Sequence, residues 1–133
     1  MRMMLQGLVA VAVLATAFGA SAGELNAKSK RSLDLAINGR VAGQPVACIN
    51  PSKVYSTDVI DKTAIVYRMS DGEIYVNRPT RGAHNLDHNA VVLTRKGIEP
   101  LCSNDFVNLG DVGGWVTASV AMGPFVPYAP AAR

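Results

Sequence analysis

Thr63-Ala64-Ile65-Val66-Tyr67-Arg68-Met69-Ser70-Asp71-Gly72-Glu73-Ile74-Tyr75-Val76-Asn77 is the stretch that decides the fold. In its first half Ile65, Tyr67 and Met69 fall on one face of an extended chain. The second half returns with Ile74 and Val76 on one face and Tyr75 on the other. Between them, Ser70-Asp71-Gly72-Glu73 is the clearest turn in the sequence, because Asp-Gly readily supplies the positive φ of a tight hairpin. The stretch therefore predicts two antiparallel strands.

The same composition continues on both sides. Val54 to Ile60 is rich in Val, Tyr, Thr and Ile, while Ala90 to Thr94, Asp105 to Leu109 and Trp115 to Met122 supply three more strands. About six short antiparallel strands predict a mainly β domain, arranged as a small barrel or a curved sheet. Pro124, Pro127 and Pro130 make the tail extended and unsuitable for a central strand.

Upstream the pattern is ambiguous. Leu33, Leu35 and Ile37 alternate as in a strand, yet Leu33, Ala36 and Ile37 also share a helical face. Asn38-Gly39 suits a helix C-cap as well as a hairpin turn. We read a short helix from about Ala27 to Asn38, ended before Gly43-Gln44-Pro45 breaks the pattern ahead of Val46-Ala47-Cys48-Ile49.

The N-terminus reads as an export signal. Met1-Arg2-Met3-Met4 carries one positive charge, Leu5 to Phe18 is almost wholly apolar, and Ala20-Ser21-Ala22 matches the small-x-small pattern cut by signal peptidase. Cleavage is expected before Gly23. The apolar run falls short of the roughly 20 residues of a spanning helix, so no transmembrane segment is expected after cleavage. No cysteine lies at the cleavage site for acylation. The expected organisation is a signal peptide over 1–22, a polar segment over 23–43, one β domain over 44–128 and a tail over 129–133.

Cys48 and Cys102 are the only cysteines. An even count in a small exported chain predicts one disulfide, and the loop it closes makes it worth about 4 kcal/mol as an upper-end figure. The chain has one Trp, Trp115, and after the signal only two Phe, Phe106 and Phe125, so a covalent staple supplements a modest core. The formal net charge of +3, reduced by one with the loss of Arg2, does not define a nucleic-acid or membrane binder.

Several segments in order carry a family resemblance: Gly43-Gln44-Pro45-Val46-Ala47-Cys48-Ile49, Ser56-Thr57-Asp58-Val59-Ile60-Asp61, Thr63-Ala64-Ile65-Val66-Tyr67 and Ile74-Tyr75-Val76-Asn77-Arg78-Pro79. Leu101-Cys102-Ser103-Asn104-Asp105 and Gly123-Pro124-Phe125-Val126-Pro127-Tyr128 complete it. Over roughly Gly39 to Tyr128 the chain resembles the small exported bacterial proteins catalogued as domain of unknown function 6491. The resemblance implies a secreted β domain with no assigned chemistry. It also implies a second cysteine pair, near Ala83 and Val120, which this chain lacks.

The long loop Arg78 to Asn89, rich in Pro, Gly, Asn and Asp, is the candidate functional patch. His84 and His88 are four residues apart, and Asp87 could add an oxygen to a divalent-metal set. Three or four ligands are needed, no HExxH or cysteine set is present, and a solvated polar loop is the simpler account. Arg78, Arg81, Arg95 and Lys96, with Arg68, form a second candidate, for an anionic envelope component, since guanidinium forks fit phosphate. Tyr67 and Tyr75 could add stacking surface. Ordinary solvation of strand ends accounts for the same charges.

Catalysis has little support. No Gly-x-Ser-x-Gly elbow, phosphate-cradling loop or Cys-x-x-Cys pair occurs, and Ser103, His84 and Asp105 form a triad only on paper. Asp58 and Asp61 are assigned to a strand end and a turn. The sequence thus predicts a periplasmic or secreted, non-catalytic interaction or structural module of the cell envelope, with no cofactor. Its partner would be an anionic envelope component or another envelope protein, and not nucleic acid. Divalent-metal binding through the His84–His88 loop is the alternative, and a small hydrolase is less favoured.

Overall fold

The computed structural model describes residues 20–93 and 99–131. In chain order it contains helix α1 (Ala20–Ala36), then strands β1 (Arg40–Ala42), β2 (Cys48–Ile49), β3 (Val54–Ile60), β4 (Ala64–Met69) and β5 (Ile74–Asn77). After the long loop come β6 (Val91–Leu93), β7 (Leu101–Cys102), β8 (Phe106–Gly110), β9 (Val116–Ala121) and β10 (Phe125–Pro130). The protein is mainly β, as its periodicity predicts. Among the described residues ten strands stand where about six were expected: β1, β2 and β7 are pieces of two or three residues with too little pattern to be read, and the prolines of β10 disguise it.

The strands form three antiparallel sheets: β1-β10-β5-β4-β3, β6-β8-β9 and the small pair β2-β7. Among the described residues these sheets do not close into a barrel. The five-stranded sheet is covered on both faces. Ala64 and Val66 of β4 join Ile60, Ile74, Val76 and Leu33 of α1 in one core. Ile65, Tyr67 and Met69 point the other way, into a larger core with Val92, Val107, Leu109 and Val120 of the three-stranded sheet. Two-sided burial explains why β4 reads as a nearly continuous apolar run rather than a strict alternation.

The deciding hairpin forms as expected. Gly72 has φ 91°, its N–H donates to the Met69 carbonyl at 3.0 Å, and the Asp71 carboxylate accepts from the Glu73 N–H at 2.9 Å. The ambiguous upstream segment is helical. Ile37 N–H donates to the Leu33 carbonyl at 3.1 Å, and Gly39, at φ 74°, lets the chain leave the helix into β1. The helix begins earlier than expected, at Ala20, so the expected cleavage site Ala20-Ser21-Ala22 lies in its first turn. The rest of the signal reading, over 1–19, lies outside the described residues.

The tail corrects the proline argument. β10 lies between β1 and β5, yet it carries Pro127 and Pro130. Both prolines sit where the ladder does not ask for their N–H. The Pro127 carbonyl accepts from Gly43 N–H at 2.7 Å, just past the end of β1, and its nitrogen faces the same way. Pro130 lies beyond Tyr128, the last residue of β10 paired with β5.

Cys48 and Cys102 are bonded to each other as directly opposed residues of β2 and β7, across a sequence separation of 54. The Asp105 carboxylate accepts from the Cys102 N–H at 2.8 Å and fixes the turn that follows. The bridge therefore ties the connection between β1 and β3 to the entry to β8.

Candidate functional site

The Arg78–Asn89 loop is pinned from within. Gly82, at φ 79°, opens a short 3-10 turn over Ala83–Asn85 and lies against the Ser119 carbonyl and Val120 of β9. Leu86 is only 2 % exposed and sits in the larger core, while its carbonyl accepts from Lys62 N–H at 2.9 Å. Apolar packing and main-chain bonds thus hold the segment in place.

That anchoring sets the loop against the β3–β4 turn, where Lys62 adopts φ 52°. The Asp61 carboxylate accepts from the main-chain N–H of His88 at 2.6 Å, and His88 Nδ1 lies 3.0 Å from both of its oxygens. Asp87 Oδ1 is 3.9 Å from the same ring nitrogen and accepts from Asn89 N–H at 2.7 Å. Burial by itself would raise the Asp61 carboxyl. The hydrogen bonds from His88 and the charges of His88 and Lys28 outweigh it and hold the carboxyl below its ordinary value. A half-open cleft of about 220 Å³ adjoins the pair, lined by Lys28, Ser29 and Ser32 of α1 together with Val59, Ile60, Asp61 and His88. Ser29 is buried and donates its hydroxyl to the Asp61 carbonyl at 2.9 Å, which joins the helix to the turn.

The donor cluster therefore consists of Asp61, Asp87 and His88. His84, read from the sequence with Asp87 and His88, sits in the 3-10 turn and is not part of that cluster. Asp61 takes its place, from a turn 27 residues before His88. Sequence spacing could not show this, because the contact depends on the loop's anchoring through Leu86.

Arg78 and Arg81 are exposed, and Arg81 forms an isolated bridge with Ala121. Arg68 is engaged with Asp58 at 3.1 Å across β3 and β4. Arg95 and Lys96 lie outside the described residues. Tyr67 is buried, so it offers no stacking surface, and Tyr75 donates its hydroxyl to Glu73 at 2.9 Å. Of the paper triad, Asp105 is taken up by Cys102 N–H, and among the described residues no hydrogen bond links it to Ser103 or His84.

A feature not anticipated from the sequence lies on the three-stranded sheet. Its inner face, Val92, Val107, Leu109 and Val120, is in the core. Its outer face carries exposed apolar groups at both ends: Val91 and Val116 are 42 % and 58 % exposed, beside Trp115 at 76 % and Val112 at 95 % in the β8–β9 connection, while Phe106, 70 % exposed, lies beyond the polar Asn108–Ser119 pair. Val91, Gly110 and Val116 form one row across the three strands. A Cβ at Gly110 would press on Leu93 Cδ1 at 2.9 Å, so the absent side chain lets Leu93 lie over the sheet. Arg81, Ala121 and Phe106 form a second row, which sets a cation at the border of the patch. The Asp111 carboxylate shapes the connection by accepting from Gly113 and Trp115 N–H, each at 3.0 Å. The signal for this face was present: Val91-Val92-Leu93 and Phe106-Val107 place apolar groups on both sides of a strand.

The fold and these surfaces define a small disulfide-stapled β domain with one layer of helix and two layers of sheet. No protein-family model, curated protein or solved structure matches the chain. Among the described residues no helix is long and apolar enough to cross a membrane.

Proposed function

We propose that this is an exported, non-catalytic interaction module of the cell envelope that docks onto another envelope protein through the outer face of β6, β8 and β9. The observation that carries the reading is the exposure of Val91, Val116 and the adjoining Trp115 at one end of a sheet face, with Phe106 at its other end, on a sheet whose opposite face is already in the core. Exposed apolar side chains gathered around a few polar ones mark interaction sites on soluble proteins, and Trp, Phe and Arg are the side chains that interfaces favour. Arg81 on the border row supplies the polar rim. The Asp111 carboxylate beside Trp115 opposes an anionic bilayer or polymer and favours a protein surface. The signal-like N-terminus and the Cys48–Cys102 bridge support an oxidising, exported setting.

The test is the double substitution Phe106→Ser with Trp115→Ser. Because both side chains are exposed, folding stability should change by only about 0.5 kcal/mol per site. Co-elution with a defined envelope protein, solubilised from the same cells, should be lost. Retained co-elution, or a large loss of stability with binding intact, contradicts the reading.

A further inference from the structure

We infer that Asp61, Asp87 and His88 form a binding site for a divalent transition-metal ion of the Zn²⁺ class, separate from the proposed docking face. One imidazole and two carboxylates converge from two chain segments, with their donor atoms all within 4.8 Å of one another. Tetrahedral Zn²⁺ sites hold such ligands at roughly 2.0–2.2 Å, so donors this close need only small shifts to share one ion.

The donors are held before any ion arrives. The main-chain N–H of His88 fixes one Asp61 oxygen, Asn89 N–H fixes Asp87, and the bond from Lys62 N–H to the Leu86 carbonyl fixes the two segments in register. His88 Nδ1 already faces both Asp61 oxygens at 3.0 Å. An ion would take the place of the ring proton there, binding to the Nδ1 lone pair while the proton leaves to solvent. Asp61 is part-buried, whereas Asp87 and His88 are largely exposed, which leaves a coordination position open to water beside the cleft. The mixed nitrogen and oxygen set suits Zn²⁺ better than Mg²⁺ or Ca²⁺, which take oxygen ligands. Lys28 lines the same cleft and opposes a cation there, so the affinity belongs in the micromolar range rather than that of a structural site.

The chain has only two histidines, so His84 serves as an internal control. Zn²⁺ alone is titrated into the purified, metal-stripped protein, with calorimetry and the imidazole NMR signals as readouts. Saturable binding of one ion is expected, with the His88 ring signals shifted and those of His84 unmoved. Asp61→Asn should weaken binding at least about tenfold, and His84→Gln should leave it unchanged. The NMR readout on the unsubstituted protein keeps the test valid if Asp61→Asn disturbs the turn. Absence of saturable binding at micromolar Zn²⁺, or equal shifts at His84 and His88, overturns the proposal.

Discussion

Asn77 and Gly123 hold each other through a reciprocal pair of hydrogen bonds. The Asn77 side-chain amide donates to the Gly123 carbonyl at 2.7 Å, and its carbonyl oxygen accepts from Gly123 N–H at 2.9 Å. Asn77 is fully buried at the end of β5, and Gly123 lies in the connection from β9 to β10. A polar side chain here imitates a strand partner and closes the seam between the two larger sheets. A Cβ at Gly123 would collide with the Arg78 carbonyl oxygen, so glycine is required for the close approach.

Asn77→Ala should therefore be costly. It leaves a buried N–H and a buried carbonyl without partners, and the expected loss is about 2–4 kcal/mol. Urea unfolding should show a lower midpoint at an unchanged slope. Gly123→Ala should destabilise at least as much, because the backbone itself must move.

Tyr67 makes the fold sensitive to alkali. Its phenol is buried beside Phe125, with only the Met122 sulfur within reach at 3.6 Å, and burial pushes its pKa well above the ordinary value. The unfolded chain loses that proton at about pH 10, while the folded chain keeps it. Between the two values the folded state binds more protons, so stability must fall as pH rises past 10. Tyr67→Phe should flatten this alkaline limb in pH-dependent unfolding and cost about 1 kcal/mol or less at neutral pH. Tyr75 is shifted the same way, by partial burial and then by its bond to Glu73, so a smaller slope should remain.

The Cys48–Cys102 bridge should account for a large share of the stability. Thiol counting on denatured, unreduced protein should find no free thiol. Cys102→Ser or reduction should cost about 2–5 kcal/mol in unfolding measurements.

Leu86 should prove to be the anchor of the His88 loop. Leu86→Ala opens a hole in the larger core and should cost about 2–5 kcal/mol. Hydrogen exchange at the Lys62 and His88 amides should accelerate more than exchange in β4, because those two bonds depend on the loop's seating.

The hairpin over 63–77 was legible because turn chemistry and strand period agree there. Val54–Ile60 was legible from its β-branched and aromatic composition, and the second half of α1 was recognisable from the face shared by Leu33, Ala36 and Ile37. β1, β2, β7 and β10 were not. The first three are too short to show a period, and in β10 the prolines disguise a strand whose missing N–H groups fall beside the ends of the neighbouring strands. The candidate cluster was half legible: Asp87 and His88 stood out locally, whereas Asp61 reaches them only through the loop's tertiary anchoring. Asn77 and Gly123 lie 46 residues apart, and no spacing rule reveals that they bond to each other. The outer sheet face was overlooked because apolar residues in a strand read first as core.

Docking through that face is open to a readout in living cells. A photo-crosslinking residue at Val116 is introduced in living cells, with the same residue at Tyr55, which is 81 % exposed on β3, as the comparison. One discrete adduct with another envelope protein is expected at Val116 and none at Tyr55. No adduct at Val116, an equal pattern at Tyr55, or adducts only with lipid or a second copy of the chain would rule out docking of an envelope protein on this face.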